Sequence, residues 1–360
     1  MFVKIETLVD EQKLGWFNVN LLFWSFLAMF TDGYDITAIS FAVPALGRSW
    51  HVAAPAFGMV LSASLLGIFF GAPLLGYVGD RYGRKTAIVA GCMIYGVATL
   101  AMTSAHSLRE MTLLRFITGV GIGGLIANTI ALNLELAPKR WRATSVVLMS
   151  TGVTFGGATP GLISRWLVPQ YGWEVLFLIG GIAPLLIAVC LMFTLPESVK
   201  YLALQTGKRR DLLRTLRRLR PDAVIPDDAD FCIPSTPEAT GLGLRKIFGG
   251  GLAVITPLLW FCFLTCLMVL YLLGGWMPVF FERSGMAPAQ AALATSLFSL
   301  GGAVGGVLIS LLLNRFGFAA IAALYALGGA AVAGLGIVGI GHDTLMVLSA
   351  LTGFSVLGIQ

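Results

Sequence analysis

Two aspartates, Asp32 and Asp35, interrupt a long apolar run from Phe17 to Pro44, within the stretch Met29-Phe30-Thr31-Asp32-Gly33-Tyr34-Asp35-Ile36. A helix rises about 1.5 Å per residue, so about 20 apolar residues cross a hydrocarbon core of roughly 30 Å. Both carboxyls then fall near mid-depth and, three residues apart, close to one helical face. A charged aspartate there costs about 2.5–3.5 kcal/mol on insertion scales, and intramembrane charge is functional by default. A carboxyl group in a low-dielectric site favours its neutral form, while a nearby cation favours the ionised one, so such a pair can take up and release protons. Two close carboxylates also resist ionising together, which leaves open which of them titrates. Capping or structural pairing is the plainer reading. Arg115 is the natural counter-charge, nearly two turns into a later apolar run beside Thr112, Leu113 and Phe116. It can pair with an aspartate, bind a substrate carboxylate through its planar fork, alternate between the two, or reach towards the membrane surface.

Composition sets the helices that must hold these charges. The 360 residues are 57% hydrophobic and 12% charged, against about 25% charged in soluble domains. Repeated apolar runs of spanning length predict an all-α polytopic membrane protein in a lipid bilayer. The abundant glycines agree, because small residues let membrane helices approach closely. The net charge of +6 does not imply nucleic acid, since the basic residues lie between the spans. The cysteines Cys92, Cys190, Cys232, Cys262 and Cys266 lack a metal spacing and are expected as buried apolar thiols. No metal or cofactor is expected. The polar start, Met1 to Gly15, does not read as a cleavable signal.

The spans are expected at Phe17–Pro44, Ala56–Val78, Thr86–Ser104, Arg109–Leu134, Ala143–Val168 and Glu174–Leu195, making residues 1–195 a six-helix bundle. Gly47 to His51, Gly79 to Lys85 and Pro138 to Arg142 read as links. Residues 196–250 form a polar linker. In it, Leu212, Leu213, Leu216 and Leu219 stripe one face of a basic helix, placed either on the anionic membrane face or in solvent. Pro221 to Pro237 reads as a flexible acidic linker. Residues 251–360 hold spans at Leu252–Met277, Gln290–Leu313 and Ala319–Ile340, and a last run from Leu345 that stops at Gln360, predicting truncation inside a tenth span. Lysine and arginine concentrate in alternate links, whereas the others hold only Arg48, Arg109, Arg165 and Arg283. This bias predicts a cytoplasmic N-terminus.

Gly76-Tyr77-Val78-Gly79-Asp80-Arg81-Tyr82-Gly83-Arg84-Lys85 resembles the loop between helices two and three of the major facilitator superfamily. Gly76 and Gly83 allow close approach or a tight turn, and Asp80 can meet a helix N-terminus or an arginine. Asn314-Arg315-Phe316-Gly317 reads as a decayed second copy, and Pro196-Glu197-Ser198 is similar to a triplet of sugar and acid porters. Asp32-Gly33-Tyr34-Asp35, together with Arg115 to Gly124, Glu135-Leu136-Ala137-Pro138, Trp276-Met277-Pro278 and Gly353 to Gln360, resembles the aromatic acid:proton symporter family of that superfamily.

The resemblance implies the major facilitator fold, two six-helix bundles with the second incomplete, about ten of twelve helices being present. It implies a bacterial inner-membrane transporter, not an enzyme, importing a benzoate- or hydroxybenzoate-like carboxylate with protons by alternating access, and a monomer is expected. Asp32, Asp35 and Arg115 would couple the proton. Tyr34, Arg115, Asn128 and Trp276 would contact substrate, with Phe155 and Tyr271 as further aromatic walls. Gly76, Asp80, Arg81, Gly83, Arg84, Glu135 and Arg142 would form a cytoplasmic gate, helix-end pairing being the simpler role for Glu135. The rival readings are a porter for a sugar, short carboxylate or drug, and, from another class, a non-transporting receptor, a membrane enzyme or an inactive fragment. His51, His106 and His342 form no zinc motif, and no nucleophile turn or phosphate loop occurs, which weighs against the enzyme.

Overall fold

The computed structural model describes residues 2–221, 226, 230–232, 248, 252–316, 318–337 and 341–359. A strand β1 (Phe2–Lys4) and a short helix α1 (Ile5–Asp10) precede six long helices: α2 (Trp16–Trp50), α3 (Gly58–Tyr82), α4 (Arg84–Ala101), α5 (Leu108–Leu136), α6 (Arg142–Tyr171) and α7 (Glu174–Thr194). Short α8 (Val199–Leu204), α9 (Arg209–Leu219) and strand β2 (Asp230–Cys232) follow. Four more long helices close the chain: α10 (Leu252–Arg283), α11 (Pro288–Phe316), α12 (Phe318–Leu335) and α13 (His342–Ile359). By their described residues, eight of these helices are long and apolar enough to cross a membrane. Among the described residues the regular structure is helical except for β1 and β2, which pair in parallel with Phe2 opposite Asp230.

Helix ends differ from the sequence expectation where backbone continuity outweighs polarity. The polar stretch from Gly47 is helical to Trp50, and α2 stops only where His51 takes a left-handed φ of 54°. The expected loop from Gly79 to Lys85 is almost entirely helix: α3 runs to Tyr82, Gly83 alone breaks the chain at φ 107°, and α4 starts at Arg84. α10 continues through Pro278 to Arg283. Membrane helices tolerate such prolines because neighbouring groups satisfy the freed backbone.

α9 meets neither the lipid nor the solvent expectation. All four of its leucines are buried in a cluster with Ile5 and Val9 of α1 and Val199 and Leu202 of α8, so the protein itself covers the stripe. Most of Pro221–Pro237 lies outside the described residues, as do Gly317 and the side chains of Asn314 and Arg315. Of the cysteines, Cys92 is buried, but Cys190 and Cys262 lie on exposed helix faces.

The α3–α4 and α5–α6 turns share one end of the bundle with α1, α8 and α9, and this end is strongly basic. At the opposite end, Phe41, Val43 and Leu46 of α2, Phe57 and Val60 join Val279 of α10 and Ala292 of α11 in one apolar cluster. Ser296 Oγ of α11 donates to the Ala158 carbonyl of α6 at 3.0 Å in the same half. In α10 the buried residues are Met277, Pro278, Val279 and Phe281, all in its last two turns. Described contacts between α2–α7 and α10–α11 therefore concentrate at the end remote from the basic turns.

Candidate functional site

Gly33 fixes the orientation of the two aspartates. A Cβ there would sit 1.9 Å from the Val153 carbonyl of α6, so only glycine lets the two helices touch at this level. With Gly33 facing α6, Tyr34 turns towards α7, where its hydroxyl donates to the Leu176 carbonyl at 3.0 Å. Asp32 and Asp35 share the remaining face.

Asp35 is fully engaged. Its Oδ2 accepts from Arg115 Nη1 of α5 at 2.7 Å, and its Oδ1 accepts from Thr99 Oγ1 of α4 at 2.9 Å. Both ionic side chains are buried, 3% exposed for Arg115 and 1% for Asp35. Asp32, one turn earlier and equally buried, has no hydrogen-bond partner for either oxygen among the described residues. Cys92 and Tyr95 of α4 and Tyr271 of α10 are within electrostatic reach of it. Tyr95 itself bonds to Thr31. One carboxylate is thus held as a counter-ion and the other is left free.

Thr99 had no signal in the sequence, being one threonine in an apolar span. A hydrogen bond to a charged group contributes about 1.5–3 kcal/mol. Thr99→Val is expected to lower thermal stability in detergent by that order, with Thr99→Ser restoring it. A valine variant as stable as the parent would show that the bond contributes nothing.

The other expected site residues lie elsewhere. Trp276 packs with the apolar cluster remote from the basic end, beside Gly58. Phe155 is 44% exposed and meets Phe26 with ring centroids 6.4 Å apart. Asn128, expected near substrate, sits at the basic end. Its Oδ1 accepts from Arg84 Nη1 at 3.1 Å, and its Nδ2 donates to the Leu75 and Gly124 carbonyls at 3.0 and 2.8 Å.

Arg84 is the centre of the basic-end cluster. It pairs with Asp80, lies 3.6 Å from Glu135 Oε1 through Nε, and bonds Asn128. Glu135 also accepts from the Ser198 hydroxyl. Glu197 joins the cluster, its Oε1 accepting from the backbone N–H of Lys85 at 3.1 Å and of Ser198 at 2.9 Å. It thereby supplies a negative charge to the N-terminus of α4, where the helix dipole favours one. Burial pushes the Glu197 carboxyl above its usual range, and these two backbone bonds pull it part of the way back. Gly83 is required beside it: φ is 107°, and a Cβ would lie 2.2 Å from Glu197 Oε2. At Gly76, by contrast, an added Cβ would meet nothing within 4 Å. Arg81 bonds the Tyr77 hydroxyl at 2.9 Å, and Arg142 pairs with Asp10 of α1 at 2.7 Å; neither joins Arg84. Among the described residues no group of His, Cys, Asp or Glu is arranged to hold a metal.

Comparison with known proteins gives this geometry a family. The 4-hydroxybenzoate transporter PcaK of Pseudomonas putida is 34% identical over 316 residues, covering 87% of this chain and 70% of the relative. A gallate transporter of the same organism is 30% identical over 359 residues, covering 99% and 80%. The benzoate transport protein of Acinetobacter baylyi is 29% identical over 87% of this chain and 68% of its own length. The structure superposes on the xylose transporter XylE of E. coli with a TM-score of 0.66 at 17% identity, covering 94% of this chain and 85% of that one. A bacterial homologue of the lysosomal transporter Spinster gives 0.67 at 19% identity, with 96% and 75% covered. The Major Facilitator Superfamily profile matches residues 25–360. With helices in this order and relatives that are transporters, the chain belongs to the Major Facilitator Superfamily.

Proposed function

We propose that this chain imports an aromatic carboxylate together with protons across a bacterial inner membrane. The substrate class follows from the relatives, which are named for 4-hydroxybenzoate, gallate and benzoate. The observation that carries the coupling is the unequal treatment of the two aspartates, Asp35 bound by Arg115 and Thr99 while Asp32 is buried without a partner. A carboxylate there, with no hydrogen bond and the Asp35 charge one turn away, would bear most of the cost of leaving water, so the neutral acid is the form this site accommodates. Asp32 is then the proton carrier, and Asp35 with Arg115 forms a fixed dipole beside it.

The basic end is cytoplasmic by the positive-inside rule. Residues 1–195 and 251–360 are the two bundles and 196–250 the linker between them. Contacts between the bundles concentrate at the outer end, so the conformation is inward-facing. The Asp80, Arg84, Asn128, Glu135 and Glu197 cluster is the part of the first bundle that forms the inner gate. In this reading substrate meets the neutral Asp32 between the two bundles, with Tyr271 of α10 within electrostatic reach of that carboxyl.

Uptake of radiolabelled acids and sugars by membrane vesicles tests this reading. Accumulation of 4-hydroxybenzoate or benzoate that an uncoupler abolishes is expected, with sugars left outside. Accumulation of a sugar, or uptake indifferent to the uncoupler, would defeat it.

A further inference from the structure

A second charged site lies at the outer end, directly against the apolar closure. Arg48 lies near the C-terminus of α2 and Glu282 near that of α10, and Arg48 Nη1 donates to Glu282 Oε2 at 2.8 Å. Their side chains are 59% and 21% exposed, so the pair forms a rim. Against it lies a cavity of about 300 Å³, with Pro44, Val52 and Val279 as its floor and Arg48, Glu282 and Arg283 around its mouth. Arg283 has no ion-pair partner among the described residues. Two arginines against one glutamate leave the mouth positive, which draws anions.

The occupant is suggested by Glu282 itself, a carboxylate already seated on Arg48. Guanidinium forks match carboxylates closely, and an exposed ion pair is weak enough for a second carboxylate to compete. We propose that this cavity captures the incoming aromatic carboxylate: its ring lies on the apolar floor, its carboxylate binds Arg48 and Arg283, and it displaces Glu282. Because Arg48 and Glu282 tie α2 to α10, displacement loosens the outer closure that must open to admit substrate. The inference rests on the aromatic-carboxylate reading above, but not on how the proton is carried.

The two halves of one ion pair give opposite expectations. For external radiolabelled 4-hydroxybenzoate, Glu282→Gln frees Arg48 and should lower KM, whereas Arg48→Gln removes the capturing group and should raise it, each by about threefold, the range of an exposed pair. Arg283→Gln should raise KM as well. Rates are normalised to the amount of each variant in the membrane, read by immunoblot. A simple latch would move KM in the same direction for Glu282→Gln and Arg48→Gln, and that result, or no shift in either, overturns the capture site while leaving the transport reading intact. Failure of the parent chain to take up any aromatic carboxylate overturns both.

Discussion

Asp32→Asn is expected to abolish proton-driven accumulation while preserving exchange of labelled for unlabelled substrate. Asparagine has the shape of the neutral acid but cannot release a proton. Asp32 already lacks hydrogen-bond partners for both oxygens, so the substitution breaks no bond that the structure makes. Helix packing at this level rests on Gly33 against α6 and Tyr34 against α7, both untouched. The variant should therefore insert and cycle with substrate but no longer exchange the proton that couples it to the gradient.

The same geometry sets the stoichiometry. With Asp35 held as the counter-ion of Arg115, one carboxyl remains to carry one proton with one monoanion, an electroneutral step. One unit of pH difference then supports about a tenfold gradient, since each tenfold is about 1.4 kcal/mol. A second proton would add the membrane potential, about 2.3 kcal/mol per charge per 100 mV. Accumulation by the parent chain should collapse when the pH difference is dissipated and persist when only the potential is. In Asp32→Asn, accumulation at one unit of pH difference should fall by about tenfold, to the level of equilibration. Full accumulation by that variant would move the carrier role to Asp35.

The charges were legible in the sequence because ionised groups in apolar runs are costly and therefore conspicuous. Asp32, Asp35 and Arg115 stand out from the letters alone. Which aspartate Arg115 meets depends on the rotation of α5 against α2, which no local pattern encodes. The role of Gly33 is equally non-local, set by a carbonyl of Val153 far along the chain. Asn128 shows the opposite failure. A polar residue in a span suggests a ligand contact, but its bonds to Arg84, Leu75 and Gly124 hold the basic end together. Glu197 was visible only as part of a three-residue resemblance, because its partners are backbone N–H groups, which every sequence has. Helix ends were misjudged where polarity and helicity diverge, as between Gly47 and Trp50.

Neutralising Arg115 and Asp35 together is expected to restore stability that either change alone removes. Arg115→Gln leaves the Asp35 carboxyl without its cation in a site where its side chain is 1% exposed, and Asp35→Asn strands Arg115 at 3%. Removing one partner of a buried pair typically costs about 3–5 kcal/mol, because the remaining charge is uncompensated, whereas replacing both with neutral groups is often close to neutral. Arg115 Nε has no partner even in the intact site, so the stranded guanidinium would find little nearby to satisfy it. Thermal unfolding in detergent should show both single variants well below the parent and the double variant near it. Coupled uptake should stay lost in the double variant, since the fixed dipole beside Asp32 is gone. A double variant no more stable than the singles would mean that Arg115 and Asp35 contribute independently. One that also recovered accumulation would mean that Asp32 needs no charge beside it to carry its proton.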